Sequence, residues 1–225
     1  MTKTCSVTAC IAAVSSVVVS AFSPTNAEAQ AASPAIDWSV EIGAATEYVG
    51  KGLGKSDGDP SIFAGVQATH GGFYGKLWAS SVDLPQGIDA EIITSLGYKT
   101  RWAGNGLNIA VMNRELTGAP DTLDSNYFEI QGDLSRRLGP VNTRLRVNYS
   151  PDGFSASEEA WWVELKGSVN VAEATSVSAA FANRASDGGS DYNAWNVGAT
   201  HDLTDPPPPP PPRYDTDAHF RGERY

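Results

Sequence analysis

Val141-Asn142-Thr143-Arg144-Leu145-Arg146-Val147-Asn148-Tyr149 decides the fold class. Val141, Thr143, Leu145, Val147 and Tyr149 alternate with Asn142, Arg144, Arg146 and Asn148. A helix would scatter both sets around its circumference. A strand turns successive side chains to opposite faces, so this period of two predicts a strand with one apolar face and one face carrying two arginines. The alternation repeats on either side. From 89 to 99, Ala90, Ile92, Thr94, Leu96 and Tyr98 oppose Asp89, Glu91, Ser95 and Lys99. From 37 to 49, Trp38, Val40, Ile42, Ala44, Thr46 and Tyr48 oppose Asp37, Ser39, Glu41, Gly43, Ala45 and Glu47. Similar segments near 61–70, 73–82, 106–112, 126–136, 160–171, 174–184 and 192–203 bring the expectation to about ten strands.

The links between these segments alternate in length. Tight ones fall at Gly71-Gly72, Ala103-Gly104-Asn105, Gly139-Pro140 and 172–174, and longer ones near 50–60, 113–125, 150–158 and 185–191, with a shorter link at 83–87. Short turns at one end and long loops at the other are the signature of an up-and-down transmembrane barrel, with the short turns on the periplasmic side. A soluble sandwich has no reason to alternate so regularly. The fold expected is therefore all-β, an antiparallel up-and-down transmembrane β-barrel of about 10–12 strands.

Composition agrees with that class. The chain has 225 residues, a hydrophobic fraction of 41%, a formal charge of -10 and a pI near 4.7. Beyond the N-terminus no apolar run approaches the roughly 18 residues of a spanning helix, so a membrane role has to come from strands. An acidic chain without a basic stripe argues against nucleic-acid binding. At the N-terminus Lys3, the apolar segment 11–22 and Ala27-Glu28-Ala29 form the charged start, core and cleavage site of a secretory signal peptide. Both cysteines, Cys5 and Cys10, lie inside it, so the mature chain has none and depends on a core or on closed backbone hydrogen bonding rather than disulfides. The expected organisation is a signal peptide over 1–29, a short linker over 30–36 and the barrel over 37–205. A polyproline segment at 206–212 and a C-terminal remnant strand or tail over 213–225 follow. The proline run cannot donate ladder hydrogen bonds and should form a rod of ~20 Å, so it interrupts the place of a turn and strand.

If the apolar faces meet lipid, the opposite faces line a lumen. That places Glu41, Glu47, Glu91, Glu129, Asp133, Arg144, Arg146, Glu164 and Lys166 inside, because Arg or Lys on the lipid side at midplane costs about 2–4 kcal/mol. These charges either set pore selectivity or pair across a small plugged lumen and hold it shut. Trp38 and Tyr48, on one face and separated by about 23 Å along the membrane normal of a tilted strand, suggest two aromatic girdles, to which Tyr98, Tyr149, Trp161 and Trp78 contribute.

Three further segments resemble a known group. Thr46-Glu47-Tyr48-Val49-Gly50-Lys51-Gly52 followed by 56–60, Gly72-Phe73-Tyr74-Gly75-Lys76-Leu77-Trp78-Ala79-Ser80-Ser81-Val82-Asp83, and the pair 192–198 and 213–217 resemble the TorF family, proteins regarded as porins and also called the Gcw_chp group. The first block is fairly specific and the later ones are generic strand sequence. The resemblance implies a proteobacterial outer-membrane protein with a signal peptide, a barrel and an assumed transport role. Members usually continue past the Asp-Thr-Asp segment into a final strand, which is missing here.

Catalytic and metal chemistry finds little footing. Gly50 to Ser56 fails as a phosphate loop, because the position five ahead of Gly54, where the first glycine is required, is Val49. Asp57, Asp59, Asp121 and Asp124 suit turns better than calcium. Of the histidines, His70 and His201 fall at the periplasmic end and His219 in the tail, the wrong places for attack on outer-leaflet lipid. The expectation is no enzyme, no cofactor and no metal. The function expected is passive diffusion of ions or small hydrophilic solutes through an outer-membrane porin-like channel, with membrane lipid and the barrel assembly machinery as partners. The alternatives are a non-conducting structural or surface-interaction barrel and a soluble periplasmic sandwich.

Overall fold

A computed structural model of the chain describes residues 16–20, 35–120, 123, 125–154, 157–189 and 191–201, the first of these segments as backbone alone. The cleavage site, the proline run and the segment 213–225 lie outside the described residues. Among the described residues from 37 onward, ten strands form one antiparallel sheet. They are β2 (Asp37–Ala45), β5 (Ser61–His70), β6 (Phe73–Leu84), β7 (Ile88–Trp102), β8 (Asn105–Thr117), β9 (Asn126–Leu138), β10 (Val141–Gly153), β11 (Glu158–Ala172), β12 (Thr175–Ser186) and β13 (Tyr192–His201). Each pairs with its neighbour in the chain, β2-β5-β6-β7-β8-β9-β10-β11-β12-β13. A five-residue strand β1 (Ser16–Ser20), inside the segment read as signal peptide, pairs with the other edge of β2. The two-residue strands β3 (Val49–Gly50) and β4 (Leu53–Gly54) form a small hairpin between β2 and β5. No helix among the described residues is long and apolar enough to cross a membrane.

The expected turns fall where the sequence puts them. Trp102 pairs with Asn105 across Ala103-Gly104, both with positive φ (50° and 79°), the two-residue geometry whose twist matches that of the flanking strands. His70 pairs with Phe73, and Leu138 with Val141. Because register has a period of two, these turns fix which face every side chain occupies. The strands run longer than expected. β8 continues through Thr117, so Asn113 to Leu116, read as loop, are strand. β2 is shorter, ending at Ala45 before a bend, so Thr46 to Tyr48 do not extend its alternation.

The faces divide the residues in an unusual sense. One face carries Ile109, Phe128, Leu165 and Phe181, each more than half exposed, with Leu145, Trp161 and Val163 beside them. The opposite face carries Glu91, Glu129, Arg144, Arg146, Asn148 and Glu164, all buried. Glu91 is 0% exposed and Leu165 60%. A water-soluble fold would bury the leucines and solvate the charges, because an isolated buried carboxylate is costly and exposed apolar area is unfavourable. The expected apolar and polar faces are thus present, with the polar one turned inward.

The aromatic girdles need correction. Tyr98, Tyr149 and Trp161 lie on the outer face, Tyr98 beside Phe73 and Tyr149 against Trp161 with ring centroids 4.7 and 4.5 Å apart. Trp78 is instead buried on the inner face, where Phe63 lies 6.2 Å away. Tyr48 turns inward onto Trp78, 5.4 Å between centroids, so the Trp38–Tyr48 pair does not mark two membrane levels. The bend after Ala45 is the reason: it breaks the alternation three residues before Tyr48.

Candidate functional site

The bend redirects the β2–β5 connection across the inner face. The loop is internally tied. Lys55 N–H donates to the Tyr48 carbonyl (2.7 Å), Tyr48 N–H to Ser56 Oγ (3.0 Å), and Ser56 Oγ to the Asp59 carbonyl (2.7 Å). It also reaches distant strands. Lys55 Nζ lies 2.7 Å from Glu91 Oε1 on β7, Lys51 pairs with Glu129 on β9, and Tyr192 Oη at the start of β13 donates to the Lys51 carbonyl (2.8 Å). Only a sheet curled around the loop lets one short segment touch β7, β9 and β13. Gly52, at φ +78°, packs against Ala194 so closely that a Cβ would collide with it. A glycine is required there on both counts.

Arg114, on β8, is the hinge of this cluster. Its Nη1 donates to Glu91 Oε1 (2.9 Å) and its Nε to Glu129 Oε2 (2.6 Å), bridging the two most deeply buried carboxylates. Tyr48 Oη donates to Glu91 Oε2 (2.8 Å), so Glu91 is held by a lysine, an arginine and a phenol. Apolar side chains seal the cluster on the long-loop side. Val82, Ile88 and Leu116 form a buried group, against which Tyr48, Leu84, Ala119, Leu123 and Phe154 pack.

Farther along the inner face, Arg146 binds Asp133 through two donors, Nε to Oδ1 (2.7 Å) and Nη2 to Oδ2 (3.0 Å), the strong fork geometry. Asn108 and Gln131 donate to the same carboxylate, and Tyr74 Oη donates to Asn108. Arg144 Nη2 lies 2.6 Å from Glu164 Oε1, and Lys76 Nζ 2.8 Å from Glu41 Oε1. Gly97 leaves space for Tyr74, whose ring occupies the place of its Cβ.

Of the nine residues expected inside, Glu91, Glu129, Asp133, Arg144, Arg146 and Glu164 are buried on the inner face. Glu41 and Lys166 are half-buried on the same face, and Lys166 pairs in register with Arg144. Glu47 is half-buried but is not carried by a strand of the sheet. It sits in the bend beyond β2, against Gly54 of the small hairpin. The residues not foreseen are the cations Lys51, Lys55, Lys76 and Arg114. Arg114 was legible, because Met112, Arg114 and Leu116 continue the period of two. Lys51 and Lys55 carry no such signal, since a glycine-rich link gives no period to follow.

No group of His, Asp or Glu among the described residues could hold a metal. Asp59 N–H bonds the Ser56 carbonyl at 2.7 Å in a turn, as expected of Asp57 and Asp59, while Asp121 and Asp124 lie outside the described residues. His201 Nδ1 lies 2.8 Å from Thr175 Oγ1 at the short-turn end.

Burial pushes the Tyr48 phenol well above its ordinary value, and the Glu91 carboxylate adds to the effect. The folded state therefore holds this proton more tightly than the unfolded chain. Its contribution is full below pH about 10 and falls as pH rises beyond, because the unfolded phenol ionises first. Tyr48→Phe is expected to cost about 1.5–3 kcal/mol at neutral pH, the worth of a hydrogen bond to a charged group. It should also flatten the loss of stability above pH 10 relative to the wild type. Denaturant unfolding at several pH values reads both effects, and an unchanged alkaline slope would contradict the Tyr48 assignment.

A family model described as a bacterial protein of unknown function (Gcw_chp) matches residues 28–219. No curated protein matches the chain.

Proposed function

Because the chain belongs to the Gcw_chp family, bacterial proteins of unknown function, its role has to be read from its own geometry, and we propose that it is an outer-membrane β-barrel acting as a porin-like channel of the TorF type for ions or small hydrophilic solutes. The observation that carries this reading is the inverted polarity of the sheet, charges buried within and leucines, phenylalanines and tryptophans exposed without. Lipid is the solvent in which such a surface is favourable. Strands of nine to fifteen residues suit a tilted crossing of about 9–11. Ten strands leave β2 and β13 antiparallel to one another, the relation that closure needs. Removal of the signal segment with β1 would free the β2 edge, and Tyr192 already ties β13 to the loop that follows β2. The barrel assembly machinery would insert it.

A second reading, a non-conducting barrel with a structural or surface-binding role, is favoured by the loop 46–59 and its ion pairs. They fill the long-loop end of the inner face and leave Glu91 and Glu129 at 0% and 1% exposure. Planar-bilayer recording of the refolded mature protein separates the two, with a version ending at Asp205 testing the tail. Stepwise conductance is expected. Silence from both versions, once gel mobility shows that each has folded, would sink the channel and leave the structural barrel.

A further inference from the structure

The small uncharged side chains of the inner face lie together, and from this we infer that the channel passes small uncharged solutes rich in hydroxyl or amide groups in preference to ions. This deepens the porin reading and rests on it. Strands β6 to β11 fill their side of the interior with large groups: Tyr74, Trp78, Met112, Arg144, Arg146 and Trp162 are all buried. β12 and β13 do not. Ser176 pairs in register with Thr200, Ser178 with Gly198, Ala180 with Asn196 and Ala182 with Ala194, all on the inner face. On β2 and β5 the inner face sets Ser39 beside Gln67 and Glu41 beside Gly65. Closed as proposed above, the sheet brings β12, β13, β2 and β5 into one arc. Small side chains leave room there for a passage, and Ser39, Asn196, Gly198 and Thr200 are exposed.

Charge on this arc is sparse. Asp37, Glu41 and Arg184 are the charged inner residues of its four strands. Glu41 holds Lys76 at 2.8 Å, and Arg184 Nη2 donates to Ser157 Oγ at 2.9 Å. Asp37 is exposed at the short-turn mouth, where salt screens it within about 10 Å at 0.1 M. The loop 46–59 meets the arc through Gly52 against Ala194 and through the Lys51 carbonyl, which accepts from Tyr192 Oη, so neither contact is ionic. Its own charges are of both signs, Glu47, Asp57 and Asp59 with Lys51 and Lys55. On the far side Glu91, Asp133 and Glu164 lie 2.6–2.9 Å from their cations, buried with them. An ion that leaves water for the arc loses hydration that hydroxyls and amides replace only in part. A polyol exchanges its hydrogen bonds more evenly, because a hydroxyl and an amide each both donate and accept. Selection thus follows from hydrogen bonding rather than from net charge.

The test uses the refolded mature protein in liposomes and in a planar bilayer. Iso-osmotic L-arabinose is expected to swell the liposomes. The reversal potential under a KCl gradient, whose two ions have nearly equal mobility, is expected to lie near zero. Ser178→Lys/Asn196→Lys should shift that potential toward chloride and Ser178→Glu/Asn196→Glu toward potassium, while Ser178→Trp should slow arabinose entry several-fold. Thr200→Lys and Thr200→Glu, at an exposed strand end, give the same reading if the paired variants do not fold. A wild-type potential near that of either ion alone, or conductance without arabinose entry, would overturn the preference for uncharged solutes and leave the channel standing. Variants that fold and shift nothing would overturn the arc as the passage, and the inference with it. A folded protein that passes neither arabinose nor current would overturn the channel reading as well.

Discussion

Arg114→Met is expected to destabilise the folded protein by about 3–5 kcal/mol, the cost of removing one partner from a buried charge network. Arg114 sits between Glu91 and Glu129, at 2.9 and 2.6 Å, and neither carboxylate has access to water. Methionine fills much of the same volume, so the loss would be electrostatic rather than a cavity. Lys55 and Lys51 would remain, one to each carboxylate, but two anions held together by one guanidinium would then repel without it. Arg114→Lys keeps the charge and loses the fork, because an ammonium cannot donate along two directions from a planar group. It should recover only part of the stability. Glu91→Gln/Arg114→Met removes charge from both sides and is expected to cost less than the sum of the single changes, the mark of a direct interaction. Guanidinium unfolding of the refolded protein, followed by tryptophan fluorescence, reads all four. Additive losses would show that Arg114 and Glu91 act independently. Under the proposed channel reading the same variant would also change conductance, since weakening the cluster would loosen the loop 46–59 that crosses the inner face.

How much of this was legible follows from where the chain has a period. Val141 to Tyr149 fixes its own faces, and the two-residue turns at Gly71-Gly72, Ala103-Gly104 and Gly139-Pro140 carry that register from strand to strand. Eight inner charges could therefore be named from parity alone, six of them buried. Strand ends were less legible. Asn113 to Leu116 read as loop although Met112, Arg114 and Leu116 keep the period of two, and the partners Phe128, Tyr127 and Asn126 on β9 show that Asn113 to Glu115 continue β8. Trp78 illustrates a different limit. Its parity with Tyr74 and Lys76 puts it inside, but an aromatic residue near the end of a strand also suits a girdle, and the alternation of Phe73 to Val82 is not strict enough to decide. The loop 46–59 was not legible at all. Its inward path depends on Lys51 and Lys55 finding Glu129 and Glu91, contacts between residues 36 to 78 positions apart in the chain, which no local pattern encodes.

Leu165→Arg is the substitution that weighs lipid against water as the outer solvent. Leu165 lies at the middle of β11, 60% exposed, with Leu145 and Phe181 beside it in register on the neighbouring strands. If that face meets the hydrocarbon core, an arginine there costs about 2–4 kcal/mol. Val171, on the same face and the same strand but at the short-turn end, is 58% exposed, and Val171→Arg should cost only about 0–1 kcal/mol, because its guanidinium reaches the headgroups. The two positions are almost equally exposed and differ chiefly in depth, Val171 lying where the β11–β12 register shifts between Asn170 and Ala172, so a several-fold gradient between them points to a bilayer. On a water-bathed sheet both changes would fall within about 0.5 kcal/mol of zero, as surface substitutions usually do. Unfolding of the protein refolded into liposomes measures the difference directly. A cost at Leu165 several times that at Val171 is the expected result, whereas equal and small costs would remove the lipid-facing surface and, with it, the barrel on which the channel rests.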